Sequence, residues 1–259
     1  MLQCDKPVSP PLPITSAPSG AKEASMQTRL VRSIRGAAGA LALTALFAGT
    51  AGAGELSGDV GVVSDYVFRG VSQSDEDPAV QAGLTYTLDS GFYFGTWASQ
   101  VDFGSETDFE VDFFAGYGFD LSDSVAADVQ VLRYVYPDEG ALNYNELLFS
   151  LTFAENLTTT LGYTNDVYNS GETGWYYGAT YDIALPAEFT LTPGIGYSRF
   201  GSGVLEDGSS SYLDWSLGLS RDFGPISAAL TYHDTNGDGE DLFGYTAESR
   251  VVLGLSFGF

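Results

Sequence analysis

In the C-terminal segment, large apolar residues alternate with mostly small residues up to the last position. In VVLGLSFGF, every second residue is large and apolar: Val251, Leu253, Leu255, Phe257 and Phe259. Chain ends usually fray, and a terminal Phe gains little from packing in water unless its strand is held along both edges. A closed sheet gives a terminal strand two neighbours. The chain end therefore predicts a strand that closes a barrel.

The same period of two recurs through residues 54–259. In DFEVDFFAGYGFD, Phe109, Val111 and Phe113 share one face, and the other face is acidic or glycine except for Phe114. Alternation of this length is typical of a strand with unlike solvents on its two faces. We count twelve such segments, at 56–70, 79–88, 92–103, 107–120, 124–136, 143–153, 157–168, 174–184, 189–200, 211–222, 226–234 and 246–259.

The connectors also alternate. Tight turns such as LDSG and AEN are interleaved with mostly longer acidic, Gly-rich loops such as DTNGDGEDLFGY. This pattern predicts an all-β fold, an antiparallel up-and-down transmembrane β-barrel of about 12 strands spanning 54–259. A secreted β-sandwich also alternates and is the alternative. Aromatic residues near strand ends and the absence of lysine after residue 53 favour the barrel.

The N-terminal region predicts export. Residues 26–53 read MQTRLVRSIRGAAGALALTALFAGTAGA, with Arg29, Arg32 and Arg35 ahead of a short apolar run and a small-residue cleavage site. The run is shorter than the roughly 20 residues a transmembrane helix needs, which favours a cleaved signal peptide. Residues 1–25 are rich in Pro and Ser and predict a disordered extension or a mis-called translation start. The predicted location is the bacterial outer membrane.

Charge limits the partners. The chain carries 34 acidic and 10 basic residues, a formal net charge of −24. This charge disfavours nucleic acid and anionic head groups as partners. The only cysteine, Cys4, precedes the signal segment, so the exported domain is expected to have no disulfide. Expected partners are outer-membrane lipid and lipopolysaccharide, the barrel-assembly machinery and small solutes.

Several motifs carry a family resemblance. They are SDYVFRG at 64–70 with Ser72 and Gln73, PAVQ at 78–81, GTWAS at 95–99 and YVYP at 134–137. Over nearly all of residues 54–259 the chain resembles the proteobacterial family Gcw_chp, whose members are also labelled TorF-family porins. The resemblance implies an outer-membrane barrel with a pore role. The alternating end with Leu255, Phe257 and Phe259 also resembles the signal by which outer-membrane barrels are recognised for assembly.

Strand phase predicts which side chains line the lumen. In the first segment, Leu56, Tyr66 and Phe68 are predicted on the lipid face, and Asp65 and Arg69 inside. The predicted lumen or constriction residues are charged and in inward phase: Asp65, Arg69, Asp108, Glu110, Asp112, Glu146, Asp182, Asp214, Glu248 and Arg250. Such charges form either a structural ion-pair network or a ring that selects ions. Because acids outnumber arginines, the sequence predicts a preference for cations.

The predicted function is a narrow passive channel for small hydrophilic solutes. Twelve strands lie between the filled eight-stranded barrels and the open sixteen-stranded pores. A non-conducting structural or surface-binding barrel is the first alternative, and a barrel enzyme is the second. His233 is the only histidine, and no nucleophile at a suitable spacing accompanies it, so the sequence predicts no catalysis.

One acidic loop resembles a calcium loop. Asp234, Asn236, Asp238 and Glu240 occupy its first, third, fifth and seventh positions, but Tyr245 stands at the twelfth, where a bidentate Glu is expected. The sequence therefore predicts no cofactor, with a weak Ca²⁺ candidate at these four residues.

Overall fold

The computed structural model describes residues 54–201, 204 and 210–259. The predicted extension 1–25 with Cys4, and the predicted signal peptide 26–53, lie outside the described residues. The described strands are β1 Gly54–Val63, β2 Val67–Phe68, β3 Val71–Ser72, β4 Ala79–Leu88, β5 Phe92–Gln100, β6 Phe109–Ser122, β7 Val125–Val135, β8 Tyr144–Phe153, β9 Leu157–Thr164, β10 Gly174–Tyr181, β11 Ile183–Ala184, β12 Phe189–Phe200, β13 Ser211–Phe223, β14 Ile226–Thr235 and β15 Arg250–Gly258. A seven-residue helix, α1 (Gly237–Phe243), precedes β15.

One antiparallel sheet closes on itself. Neighbouring barrel strands follow chain order, β10 pairs with β12, and β1 pairs with β15. The two-residue β11 continues the line of β10, so twelve strands surround the lumen. The predicted twelve-stranded barrel is confirmed, because the pairing of first and last strands removes both sheet edges.

The outer face is apolar, as alternation predicts. On β5 the side chains of Phe92 and Phe94 are each 55% exposed, whereas Tyr93 between them is buried. On β13 Leu217 is exposed and belongs to the same outer row as Leu213. A lipid-spanning barrel needs such an apolar outer band, because hydrocarbon offers no partner for polar groups.

The two ends of the barrel differ. The turn end carries the short connections, such as 89–91, 123–124 and 224–225, and the loop end carries the longer ones, such as 64–78 and 236–249. The first described residue, Gly54, and the terminal Phe259 both lie at the turn end. Among the described residues, no helix is long and apolar enough to cross a membrane.

The first strand is shorter than the predicted segment 56–70. The predicted lipid-facing positions in the second half of that segment are therefore wrong. β1 ends at Val63, and residues 64–78 turn into the barrel. Tyr66 and Phe68, predicted on the lipid face, are 2% and 3% exposed in the interior cluster. The alternation continued in the sequence past Val63, but it belongs there to a separate hairpin, β2–β3.

The lumen is divided into two halves. Towards the loop end it is filled by a buried, mostly aromatic cluster that includes Trp97, Tyr134, Tyr212 and Phe243. Towards the turn end the inward positions are small and polar, and cross-strand pairs such as Ser150–Thr160 are only partly buried. The candidate site therefore lies where the filled half begins.

Candidate functional site

A hairpin inside the lumen forms the centre of the site. Val67 pairs with Ser72 and Phe68 with Val71, which leaves Arg69 and Gly70 as the two tip residues. Both have positive φ, 46° and 84°, as in the tight turns that join two antiparallel strands. A Cβ on Gly70 would lie 2.6 Å from Thr235 Cγ2 at the end of β14, so glycine lets the tip pack closely against that strand.

The base of this inner hairpin (residues 64–78) is held by Asp65. Its Oδ1 accepts hydrogen bonds from the hydroxyls of Ser72 and Ser74, at 2.6 and 3.1 Å. Its Oδ2 lies 2.9 Å from Nη1 of Arg250, at the start of β15. The same guanidinium lies 3.4 Å from Glu76, so one arginine contacts both arms of the segment.

A loop reinforces this anchor from outside. Nη2 of Arg250 donates to the carbonyl of Tyr245 at 2.7 Å, and its Nε donates to the carbonyl of Glu248 at 3.0 Å. The hydroxyl of Tyr245 donates to Asp75 of the inner hairpin. Segments 64–78 and 236–249 are thus tied together at the loop end.

The tip of the hairpin crosses the lumen to the far wall. Nη2 of Arg69 donates to both carboxylate oxygens of Glu146 on β8, at 2.9 and 3.0 Å. The guanidinium carbon lies 3.9 Å from the ring centre of Tyr176 on β10 and 4.5 Å from that of Phe68. Since β8 lies five strands from β1 around the twelve-stranded ring, the hairpin spans the barrel.

Two acidic residues of β6 lie beside this crossing. Glu110 is fully buried and accepts hydrogen bonds from the hydroxyls of Tyr66 and Tyr136, at 3.1 and 2.6 Å. Asp112 is also fully buried, but neither of its carboxylate oxygens has a hydrogen-bond partner among the described residues. A buried carboxylate without partners is costly, so this group is poised to interact with a proton or a cation.

Tyrosines beyond the strand ends stay neutral. Burial raises the pKa of Tyr136 well above its usual value, and the nearby Glu110 carboxyl adds to the rise. Burial likewise raises the pKa of Tyr168, in the 165–173 loop. These hydroxyls therefore act as hydrogen-bond donors at neutral pH.

The remaining predicted lumen residues fall into two groups. Asp214 is buried on the inner face of β13, and Asp182, half-buried beside β11, accepts a hydrogen bond of 2.7 Å from Thr192. Asp108 and Glu248, however, lie outside the strands and are exposed. Their predicted inward placement is corrected, because strand phase has no meaning in the loops that hold them.

A cavity of about 210 Å³ lies between β1, β4, β14 and β15. Its polar lining includes Asp65, Gln81, Thr231 and His233, and its apolar lining includes Val252. His233 faces Arg250 across the β14–β15 pair. The cavity lies against the base of the inner hairpin.

The predicted calcium segment contains a capped helix. Asn236 is the N-cap of α1 and accepts from the Gly239 amide, while its amide group donates to Asp238 at 2.7 Å. Asp234 accepts a hydrogen bond from Tyr232 at 2.7 Å. In the described part of the chain, no three His, Cys, Asp or Glu side chains are grouped so that they could hold a metal ion. Calcium binding by Asp234, Asn236, Asp238 and Glu240 stays a prediction.

Sequence reasoning missed the aromatic partners of the charged residues. Tyr134 donates to Glu146 at 2.8 Å, and Tyr176 lies over Arg69. A signal was present, since Tyr134 and Tyr136 stand in the phase opposite to the outward Val129 and Val131. Aromatic residues on the inner phase indicate a filled lumen.

The three residues of the predicted assembly signal lie on the outside of the barrel. Leu255 and Phe257 are exposed on β15, and Phe259 is 67% exposed beyond its end. Their role as an assembly signal stays a prediction.

Comparison with solved structures gives the same fold. A KdgM porin matches with a TM-score of 0.52 at 10% sequence identity, covering 78% of this chain and 99% of that one. A KdgM porin in complex with disordered oligogalacturonate matches with 0.51 at 11% identity, covering 78% and 99%. A NanC porin matches with 0.51 at 14% identity, covering 79% and 99%. No curated protein matches the chain in sequence.

The family model agrees with the resemblance noted in the motifs. It matches residues 47–256, which include the whole inner hairpin and all strands except the end of β15. The TorF label and the proteobacterial range stay predictions. The chain therefore belongs to the family described as bacterial protein of unknown function (Gcw_chp).

Proposed function

We propose that this protein is an outer-membrane channel for small hydrophilic solutes, with a preference for cations. The observation that carries the proposal is the inner hairpin: a closed barrel has a lumen lined by small polar residues at the turn end, and one tethered segment narrows it at the loop end. A barrel built only for structure needs no separate segment held across its lumen by ion pairs.

The charge of the lumen supports the preference for cations. Inward acidic residues of the described strands and inner hairpin outnumber the arginines Arg69 and Arg250; they are Asp59, Asp65, Glu110, Asp112, Asp128, Glu146 and Asp214. Rings of carboxylates attract cations and repel anions at short range. Oligogalacturonate, found with one KdgM porin, carries carboxylates, which the acidic lumen proposed here would repel.

The alternative, a closed barrel with a structural or surface-binding role, is favoured by the filled loop half of the lumen. The two functions differ in conductance. Residues 54–259, refolded into a planar bilayer, are expected to give discrete current steps, with a reversal potential of cationic sign in a salt gradient. Bilayers that stay silent at all voltages would support the structural role.

The preference for cations can be tested with two matched double variants. Glu110→Gln with Asp112→Asn is expected to reduce the cationic reversal potential, because it removes two buried lumen carboxylates. Glu106→Gln with Asp108→Asn removes two exposed loop carboxylates and is expected to leave it unchanged. Higher ionic strength should weaken the preference by screening. An anion-selective channel would contradict the proposal.

A further inference from the structure

The guanidinium of Arg69 occupies a site built from the barrel wall. Glu146 of β8 accepts both hydrogen bonds from Arg69 Nη2, and its carboxylate is itself held by the hydroxyl of Tyr134 on β7 at 2.8 Å. The ring of Tyr176 on β10 lies 3.9 Å from the guanidinium carbon, within cation–π distance. The wall therefore supplies a carboxylate and an aromatic face, which are the two groups that recognise organic cations.

The backbone of the wall leaves room for this pair. A Cβ on Gly162 of β9 would lie 2.7 Å from Glu146 Oε1 and 3.3 Å from Arg69 Nη2. Any side chain at position 162 would clash with Glu146 and come close to Arg69. The absence of a side chain here keeps space for a planar cation against Glu146.

The site offers more acceptors than Arg69 uses. Oδ2 of Asp214 on β13 is buried and has no hydrogen-bond partner among the described residues, and neither has Nε of Arg69. A Cβ on Gly196 would contact Asp214 Oδ2 and would lie 2.7 Å from the hydroxyl of Tyr176, so the unused carboxylate oxygen lies beside that ring. A tethered arginine thus fills the site incompletely, because both donor and acceptor groups stay unpaired.

We propose that Tyr134, Glu146, Tyr176 and Asp214 form a cation cage that binds solutes bearing a guanidinium or alkylammonium group. Arg69 is a tethered surrogate for such a solute. This inference rests on the proposed function in so far as it names the solute class of the channel. Binding by the cage itself does not require conduction.

Occupation of the cage by a solute would release the hairpin tip. Arg69 is the tip residue, and its contacts with Glu146 and Tyr176 hold the tip against the far wall. The ion pair of Asp65 with Arg250 would still hold the base. A bound cation therefore displaces the tip and widens the lumen without detaching the segment.

The test is binding of methylguanidinium to Arg69→Ala, measured by calorimetry on refolded barrels in detergent at millimolar concentrations and constant ionic strength. Removing the tethered competitor is expected to tighten binding at least about tenfold relative to the unmodified barrel, because a short tether gives a local concentration in the millimolar range. Adding Glu146→Gln to Arg69→Ala is expected to abolish binding. Sodium at the same concentration is expected not to substitute.

Arg221→Ala is the matched control. Arg221 also lies near two rings, of Phe189 and Phe223 at 5.3 and 4.8 Å, and 3.6 Å from Glu188, but at the turn end. This variant is expected to bind methylguanidinium no better than the unmodified barrel. Equal binding by Arg69→Ala and Arg221→Ala would overturn the cage.

Refolding gives a second readout if Arg69→Ala folds poorly. A ligand that binds only the folded barrel raises the folded fraction, so methylguanidinium is expected to restore the yield and sodium is not. A yield indifferent to methylguanidinium would overturn the proposal. If the barrel binds methylguanidinium but never conducts, the cage proposal stands and the channel proposal is wrong. If the barrel conducts but does not bind methylguanidinium, the channel proposal stands and the cage proposal is wrong.

Discussion

Asp65, just after the first barrel strand, forms an ion pair with Arg250, the first residue of the last strand. Asp65 Oδ2 and Arg250 Nη1 are 2.9 Å apart, and both side chains are less than 10% exposed. The pair links the base of the inner hairpin to the start of β15. The hairpin leaves β1 at this point, so the ion pair holds residues 64–78 where they turn into the lumen.

Replacing Arg250 by Met is expected to loosen the inner hairpin. The change leaves Asp65 buried without its cation, which costs about 3–5 kcal/mol for a buried pair. Single-channel recording should then show a higher open probability than in the unmodified barrel. Arg133→Met, which removes an arginine whose hydrogen bond to Asn145 is exposed, is the control and should conduct normally. Unchanged gating in Arg250→Met would show that the base is held by other contacts.

Substituting Gly162 by Ala is expected to disturb the Arg69–Glu146 pair. The added methyl group would lie 2.7 Å from Glu146 Oε1, and neither buried side chain can move freely. Overpacking of this kind costs about 1–3 kcal/mol. Gly118→Ala is the control, since its nearest neighbour would be Asp128 Oδ2 at 3.6 Å. Urea unfolding in lipid measures both, and equal midpoints would argue against a tight fit at Gly162.

A cation in the outer band should impair folding. Leu217 is 47% exposed on the outer face of β13, so Leu217→Arg is expected to cost about 2–4 kcal/mol near the bilayer midplane. Gly254→Ser is the control, because a Cβ there would meet only Val63 Cγ1 at 3.6 Å. Folding yields into vesicles measure the difference. Comparable yields would contradict the assignment of lipid-facing and lumen-facing sides.

Deleting Phe259 is expected to impair barrel closure and assembly. The amide and carbonyl of Phe259 each form a 2.9 Å hydrogen bond with the backbone of Gly58 on β1. Cell fractionation should find the deletion variant degraded before it reaches the outer membrane. Phe259→Tyr keeps both the backbone pair and an aromatic ring, and should assemble. Normal outer-membrane levels of the deletion variant would contradict an assembly role for this residue.

Alkaline pH is expected to destabilise the filled half of the lumen. The pKa of Tyr136 is raised in the folded barrel, so its stabilising effect is present below the unfolded value of about 10 and is lost as pH rises towards the folded value. Circular dichroism in detergent should show stability falling above about pH 10. Tyr136→Phe should reduce the slope. An identical slope in this variant would show that other groups control the alkaline transition.

The alternating sequence alone predicts the barrel and most of its wall. β4 and β12 begin and end at the predicted residues, and Glu110, Asp112, Glu146 and Asp214 lie on the predicted inner faces. Alternation determines this much because each strand must present one face to lipid and one to the lumen, so side-chain polarity alone fixes its orientation.

Only the tertiary structure decided the path of residues 64–78. Tyr66, Phe68 and Arg69 continue the alternation of β1, and local pattern cannot distinguish a longer strand from a hairpin that turns inward. The choice depends on partners far along the chain: Glu146 for the tip and Arg250 for the base. These contacts require the closed barrel, because closure places residues that are distant in sequence around one lumen.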